Sequence, residues 1–103
     1  MVKVSVLYPN EEGKKFDMNY YCETHVPMVR KLLGDSCTNA SVDAGIAGGT
    51  PGSEAPFFAI GHLYFNKVED FISSFGPHAT AIMSDIPNYT NAGPVIQISE
   101  VKF

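Results

Sequence analysis

Hydrophobic and polar positions divide the chain into alternating strand and helix patterns. Val2-Lys3-Val4-Ser5-Val6-Leu7-Tyr8 alternates with period two and is rich in β-branched residues, which predicts a strand. Pro9 to Lys15 is a charged turn. Asp17 then offers a carboxylate to cap a helix, with Phe16 before it as a staple residue. From there Met18, Tyr21, Cys22, His25, Val29, Leu32 and Leu33 recur mainly at spacings of three and four, so they form one apolar stripe. Gly34 stands where a C-cap belongs. Pro27 lies inside this helix, removes the hydrogen bond to the Glu23 carbonyl, and should bend the rod.

The second half begins with Thr38 to Ala47, small and weakly alternating, as a second strand, followed by the flexible loop Gly48 to Glu54. Pro56 to Phe65 is the strongest strand and is apolar on both faces, which predicts a central position. Asn66 is the expected cap of the next helix, with Glu69 completing a capping box. Val68, Phe71, Ile72, Phe75, Ala79, Ile82 and Met83 give that helix its apolar face, and Gly76-Pro77 interrupts it. Val95 to Val101 is the last strand.

The order β-α-β-β-α-β is the ferredoxin-like α+β plan: a four-stranded antiparallel sheet with both helices on one face. The other sheet face is left bare and still carries apolar residues, so it is an association surface. Two such faces packed together close a dimeric α+β barrel. No internal repeat, linker or low-complexity tract divides residues 1–103, which read as a single domain.

Composition sharpens this picture. Only 17% of residues are charged, against 45% hydrophobic, and an average soluble domain is about 25% charged. A homodimer that covers apolar surface follows from that shortage. The net charge is −4, and the basic residues are scattered, with no stripe to neutralise a phosphate backbone; nucleic acid is excluded as a partner. No apolar run is long enough to cross a bilayer, and the N-terminus lacks a signal-peptide block, so a cytoplasmic protein is expected. Cys22 and Cys37 lack metal spacing and read as reduced thiols.

Candidate chemistry centres on His25, which shares the apolar stripe and so points toward the sheet. A partly desolvated imidazole there can stay neutral and shuttle a proton, with the Tyr20 or Tyr21 hydroxyl nearby, or can ligate a metal or haem iron. The competing reading is a buried histidine satisfied by a backbone carbonyl, and Pro27 leaves that of Glu23 available. His62, on the central strand, and His78, after Gly76-Pro77, are the other imidazoles. The three have no HxxxH pair and no matching carboxylate spacing, so no dedicated metal site is expected. Asp85 and Tyr89 either rim a pocket mouth or belong to an Asx-type connection into the last strand. No nucleophile elbow surrounds Ser36, Ser41 or Ser73, and no phosphate-binding motif is present.

The first helix, FDMNYYCETHVPMVRKLLG from Phe16 to Gly34, resembles the signature of the EthD family, in which an aromatic is followed four residues later by His and then by x-Pro. Tyr21, His25 and Pro27 are the matching positions. APFFAIGHLYF, FGPHATAIMSDIPNYTN and PVIQISEV resemble bacterial members of the same family. Nearly the whole chain is covered. The resemblance implies a dimeric α+β barrel with a cavity between helices and sheet, and places His25 and Tyr21 near it. EthD itself is associated with degradation of an alkyl ether alongside an oxidative system. Related barrels include cofactor-free quinone-forming monooxygenases, polyketide cyclases, muconolactone isomerases and haem-degrading enzymes. Tyr21 stands where many relatives have Trp.

Three functions are compatible with these residues. The leading one is a cytoplasmic homodimer in small-molecule catabolism that binds a small apolar or aromatic compound and acts on it without a cofactor, as an isomerase, cyclase or monooxygenase-like oxidoreductase, beside an oxidative-system partner. His25 is then the proton-transfer group and Tyr21 its catalytic neighbour, while His62, Tyr89, Tyr20 and His78 are substrate-binding polar groups. The second is a non-enzymatic carrier, including a haem-binding one with a histidine ligand. The third is a structural dimer with no cavity of use.

Overall fold

The N-terminal alternation becomes strand β1, Val2–Pro9, and it runs through the middle of the sheet. The computed structural model describes residues 1–103. On one side β1 pairs antiparallel with β3, Phe57–Phe65, and on the other with β4, Val95–Glu100. Strand β2, Asn39–Ala44, adds to the far side of β3, which gives the order β2-β3-β1-β4. The four-stranded antiparallel α+β architecture and the central place of β3 match the sequence reading. No helix is long and apolar enough to cross a membrane.

Register decides which residues meet. Val4 faces Leu63 on one neighbour and Ile98 on the other, and Val6 faces Gly61 and Ile96. These positions point toward the helices. Val4 and Phe65 are fully buried there, and with Val29, Leu33, Cys37 and Ile82 they form the larger core cluster. Lys3, Ser5, Leu7, Ile60, His62 and Tyr64 fall on the opposite face by alternation.

The first helical segment opens as expected. Asp17 is the N-cap, its Oδ1 accepting from the Tyr20 N–H at 3.0 Å. The Phe16 ring packs against Tyr21 with centroids 5.1 Å apart, the contact a hydrophobic staple makes. Asp17→Ala is therefore expected to cost about 1 kcal/mol. That is a fall of several degrees in melting temperature for a domain of this size, readable by circular dichroism.

Beyond this opening turn the segment is not one regular α-helix. Helix α1, Met18–Tyr20, passes into a π-helical turn, Tyr21–His25, before α2, Val26–Leu33, resumes. The Val26 N–H donates to the Tyr21 carbonyl, five residues back. Pro27 has no N–H to continue the ordinary ladder, and the wider turn absorbs the defect. The extra residue also rotates the stripe. Tyr21 and His25 are buried, whereas Cys22, expected on the same face, is exposed. Gly34 closes α2 with φ of 64°, in the region that favours glycine.

The second helical segment is α3, Val68–Phe75, a 3-10 turn, Gly76–His78, and α4, Ala79–Ser84. Its N-cap is Lys67 rather than Asn66, with no side-chain capping bond. The periodicity puts Ile72 and Met83 on the apolar face, but they are 61% and 42% exposed. Phe71 and Phe75 take the core-facing positions of α3, and the break at Gly76-Pro77 resets the phase before Met83.

Candidate functional site

The π turn aims His25 into the space between helices and sheet, where it meets a residue from the end of α4. His25 Nδ1 lies 2.9 Å from Asp85 Oδ2. Asp85 Oδ1 accepts from the Tyr20 hydroxyl at 2.7 Å and from Asn88 Nδ2 at 2.9 Å. An ionised carboxylate only accepts, so its partner fixes the tautomer: Nδ1 carries the proton and Nε2 keeps its lone pair. The partner of His25 is thus a carboxylate distant in sequence, not the Glu23 carbonyl.

Nε2 makes no hydrogen bond within the protein, yet no fully buried side-chain nitrogen or oxygen lacks a partner. Nε2 therefore opens onto the adjoining cavity, which His25 lines. Burial holds the imidazole below its usual pKa, outweighing the upward pull of Asp85. Burial alone would push the Asp85 carboxyl up, but hydrogen bonds from Asn88, His25 and Tyr20 bring it below its ordinary value. The pair is a neutral imidazole backed by a carboxylate.

Both shifts act on stability in the same direction. The unfolded chain protonates its histidine near 6.5 and its aspartate near 3.8, each above the folded value. The unfolded state then binds more protons, so stability falls as pH drops below about 6.5, with a further loss below about 3.8. Asp85→Asn should flatten the lower limb in denaturant titrations; an unchanged profile would contradict this assignment.

Tyr21 is the second group at the cavity. Its ring stacks on His25, with centroids 5.6 Å apart and planes at 16°. Its hydroxyl rests against Gly61, occupying the place a Cβ would take, with the Tyr8 hydroxyl as its side-chain neighbour. Behind these groups Tyr8 and Tyr89 share a hydroxyl hydrogen bond of 2.7 Å, and the Tyr89 ring lies 4.6 Å from His25. Burial pushes the phenols of Tyr8, Tyr21 and Tyr89 above their usual pKa, so all three are neutral donors.

The cavity has a volume of about 90 Å³ and is mainly apolar. Val6 and Gly61 form its floor on the sheet, Phe71 and Phe75 come from α3, and the partly exposed Met83 and Ile96 stand at its edge. No Lys, Arg, Asp or Glu lines it. Drug-sized ligands occupy pockets of roughly 300 to 1,000 Å³, and a porphyrin belongs to that scale. The free Nε2 has the right chemistry for a haem ligand, but the space around it does not fit haem. No three His, Cys, Asp or Glu side chains gather to hold a metal ion.

The structure brings His25 and Tyr21 together at the cavity, packs Tyr89 against both and joins Tyr20 to His25 through Asp85, and leaves His62 and His78 apart. Tyr89 and Tyr20 do not line the cavity; they lie behind it, Tyr89 on Tyr8 and Tyr20 on Asp85. His78 sits in the 3-10 turn and neither lines the cavity nor makes a side-chain hydrogen bond. His62 borders the cavity through its strand, but its imidazole is on the opposite sheet face, bonded to Ser5 Oγ at 3.1 Å and Asp43 Oδ2 at 3.0 Å. That Ser-His-Asp chain uses the ring nitrogens the opposite way round from a serine-hydrolase triad, with Ser5 on Nδ1 and Asp43 on Nε2. In addition, β1 is paired on both sides, so its amides are committed to the sheet and offer no oxyanion hole. Asp85 and Gly61 are the residues whose roles sequence reasoning missed. A glycine inside a strong strand was the available signal for Gly61.

A family model described as the EthD domain matches residues 11–93. The chain is similar to the crystal structure of an EthD-like protein from Ralstonia eutropha JMP134, with 41% identity and a TM-score of 0.92 over 96% of this chain and 89% of that one. It is also similar to an ethyl tert-butyl ether (EthD) family protein from Bacillus halodurans C-125, at 22% identity and a TM-score of 0.68, covering 99% of each chain. An Arabidopsis thaliana protein aligns at 10% identity and a TM-score of 0.70, over 100% of this chain and 97% of that one. The latter two likenesses concern the fold alone. No functionally curated protein matches.

Proposed function

This chain belongs to the EthD family, and we propose that its cavity binds a small, mainly apolar molecule on which His25 acts by proton transfer. The observation that carries this reading is the unpaired His25 Nε2, turned into an apolar cavity and oriented from behind by Asp85. A neutral imidazole with a fixed tautomer is a general base. The Tyr21 hydroxyl, held protonated beside it, donates to the oxygen on which charge develops. This pairing suits isomerisation, cyclisation or enolate formation ahead of attack by oxygen. A role in small-molecule catabolism beside an oxidative system is proposed on the family membership and on the likeness to the EthD-like protein of Ralstonia eutropha.

The working form is a homodimer in which a second copy covers the open sheet face, where Leu7, Ile60 and Tyr64 stand among polar residues. The free thiols of Cys22 and Cys37 accord with a reducing, cytoplasmic setting. Binding without turnover is the second reading, favoured by the mainly apolar character of the cavity.

The test is a melting-temperature panel of small ketones, lactones, cyclic ethers and hydroquinones. A ligand at about one hundred times its dissociation constant adds about 2.7 kcal/mol to the native state, a shift of several degrees. A shift in the wild type that vanishes in His25→Ala supports the site. No shift for any compound would sink the reading.

A further inference from the structure

Resting on that reading, we infer that the cavity selects an uncharged carbonyl compound and enolises it, with His25 Nε2 taking the α-proton and the Tyr21 hydroxyl holding the carbonyl oxygen. Three observations carry the inference.

The first is charge. No cationic side chain lines the cavity, and the Asp85 carboxylate lies 2.9 Å behind the imidazole. An anionic ligand would lose its hydration, gain no partner, and meet a like charge through the His25 ring. A substrate carrying carboxylate or phosphate is therefore rejected, although the chemistry at its carbonyl would be the same.

The second is the placing of a free base beside a phenol. His25 Nε2 makes no hydrogen bond within the protein, and the Tyr21 phenol beside it stands on a near-parallel ring, with centroids 5.6 Å apart. A base beside a phenol donor matches the α-hydrogen and the oxygen of a single carbonyl group. The Tyr21 hydroxyl cannot drift, because it is seated on Gly61 and its ring is packed against Tyr8, Phe16 and Tyr89. In the step, the C–H bond breaks as its proton passes to Nε2. The bonding pair becomes the enol double bond, and the carbonyl π pair moves onto the oxygen that Tyr21 hydrogen-bonds. The imidazolium, stabilised by Asp85, returns a proton, so no oxidant or cofactor is consumed.

The third is size. A cavity of about 90 Å³ is smaller than the roughly 150 Å³ apolar cavity that accepts benzene. The reacting portion is thus a short branched chain or one small ring.

The experiment follows α-proton exchange in D2O by NMR for two compounds of similar shape, the neutral 3-methylbutan-2-one and the anion pyruvate. The expected result is methyl exchange of the ketone accelerated about 100-fold over the His25→Ala protein, slowed in Tyr21→Phe, with pyruvate at background. His25→Gln serves if the alanine variant does not fold. Equal exchange of pyruvate would overturn the charge selection. No exchange of the ketone, although it raises the melting temperature, would overturn enolisation while leaving the binding site intact. No exchange, together with no stabilisation by any apolar compound, would overturn the proposed function itself.

Discussion

Alanine at position 25 is expected to lower any proton-transfer rate of this protein by about 10² to 10⁴ while leaving the fold in place. The separation follows from how Asp85 is held. Losing His25 removes one of its three donors, and the Tyr20 hydroxyl and Asn88 amide still satisfy the carboxylate. The stability loss should then be of the order of one hydrogen bond, about 1 kcal/mol, plus a packing contribution from the lost ring. Tyr89, 4.6 Å from the imidazole, would border the enlarged cavity. Single-turnover or exchange kinetics measured beside a thermal melt distinguish the two effects. A variant that melts normally and keeps its rate would show that His25 is packing and nothing more.

Gly61→Ala should damage the site from the sheet side. The new Cβ would fall on the Tyr21 hydroxyl at a separation real side chains do not adopt. Tyr21 cannot yield as a flexible side chain would, because its ring is enclosed by Tyr8, Phe16 and Tyr89 with centroids 5.1 to 5.4 Å away. Overpacking of this kind costs about 1 to 3 kcal/mol. The diagnostic is the double variant Gly61→Ala/Tyr21→Phe, which removes the clashing oxygen and leaves the ring carbon 3.3 Å from the new methyl. It should recover most of the lost stability without recovering activity, a coupling that a double-mutant cycle reads directly. If the double variant is as unstable as the sum of the two singles, the contact does not limit this position.

The fold was legible because its signals are local. Alternation in β1, the uninterrupted apolar run of β3 and the stripes on either side of Pro27 and Pro77 each depend on a few neighbouring residues. The π turn was not legible. Pro27 announces a defect, but a bend and an inserted residue are equivalent remedies in sequence, and only packing of Tyr21 and His25 against the sheet selects between them. The exposure of Cys22 escapes the helical stripe for that reason.

The site was half legible. His25 and Tyr21 stand on one helical face, so their proximity follows from spacing. Asp85 arrives from the far end of the second helical segment, and no local pattern distinguishes it from a turn former. His62 is a different case. Adjacent strand residues face opposite ways, so once Gly61 is on the helix side, His62 must point away from the cavity and toward Ser5 and Asp43. The parity was in the sequence, but the face assignment depended on how β3 pairs with β1.

The proposed chemistry requires His25 to be a neutral base, its Nδ1–H donated to Asp85 and its Nε2 free in the cavity. Long-range ¹H–¹⁵N NMR of the histidine rings, followed from neutral pH into acid, measures this directly. The predicted result is an Nδ1–H tautomer at pH 7, titrating below 6.5, with Nε2 the nitrogen whose shift moves when a cavity ligand is added. An Nε2–H tautomer, or a midpoint above 6.5, would contradict that assignment.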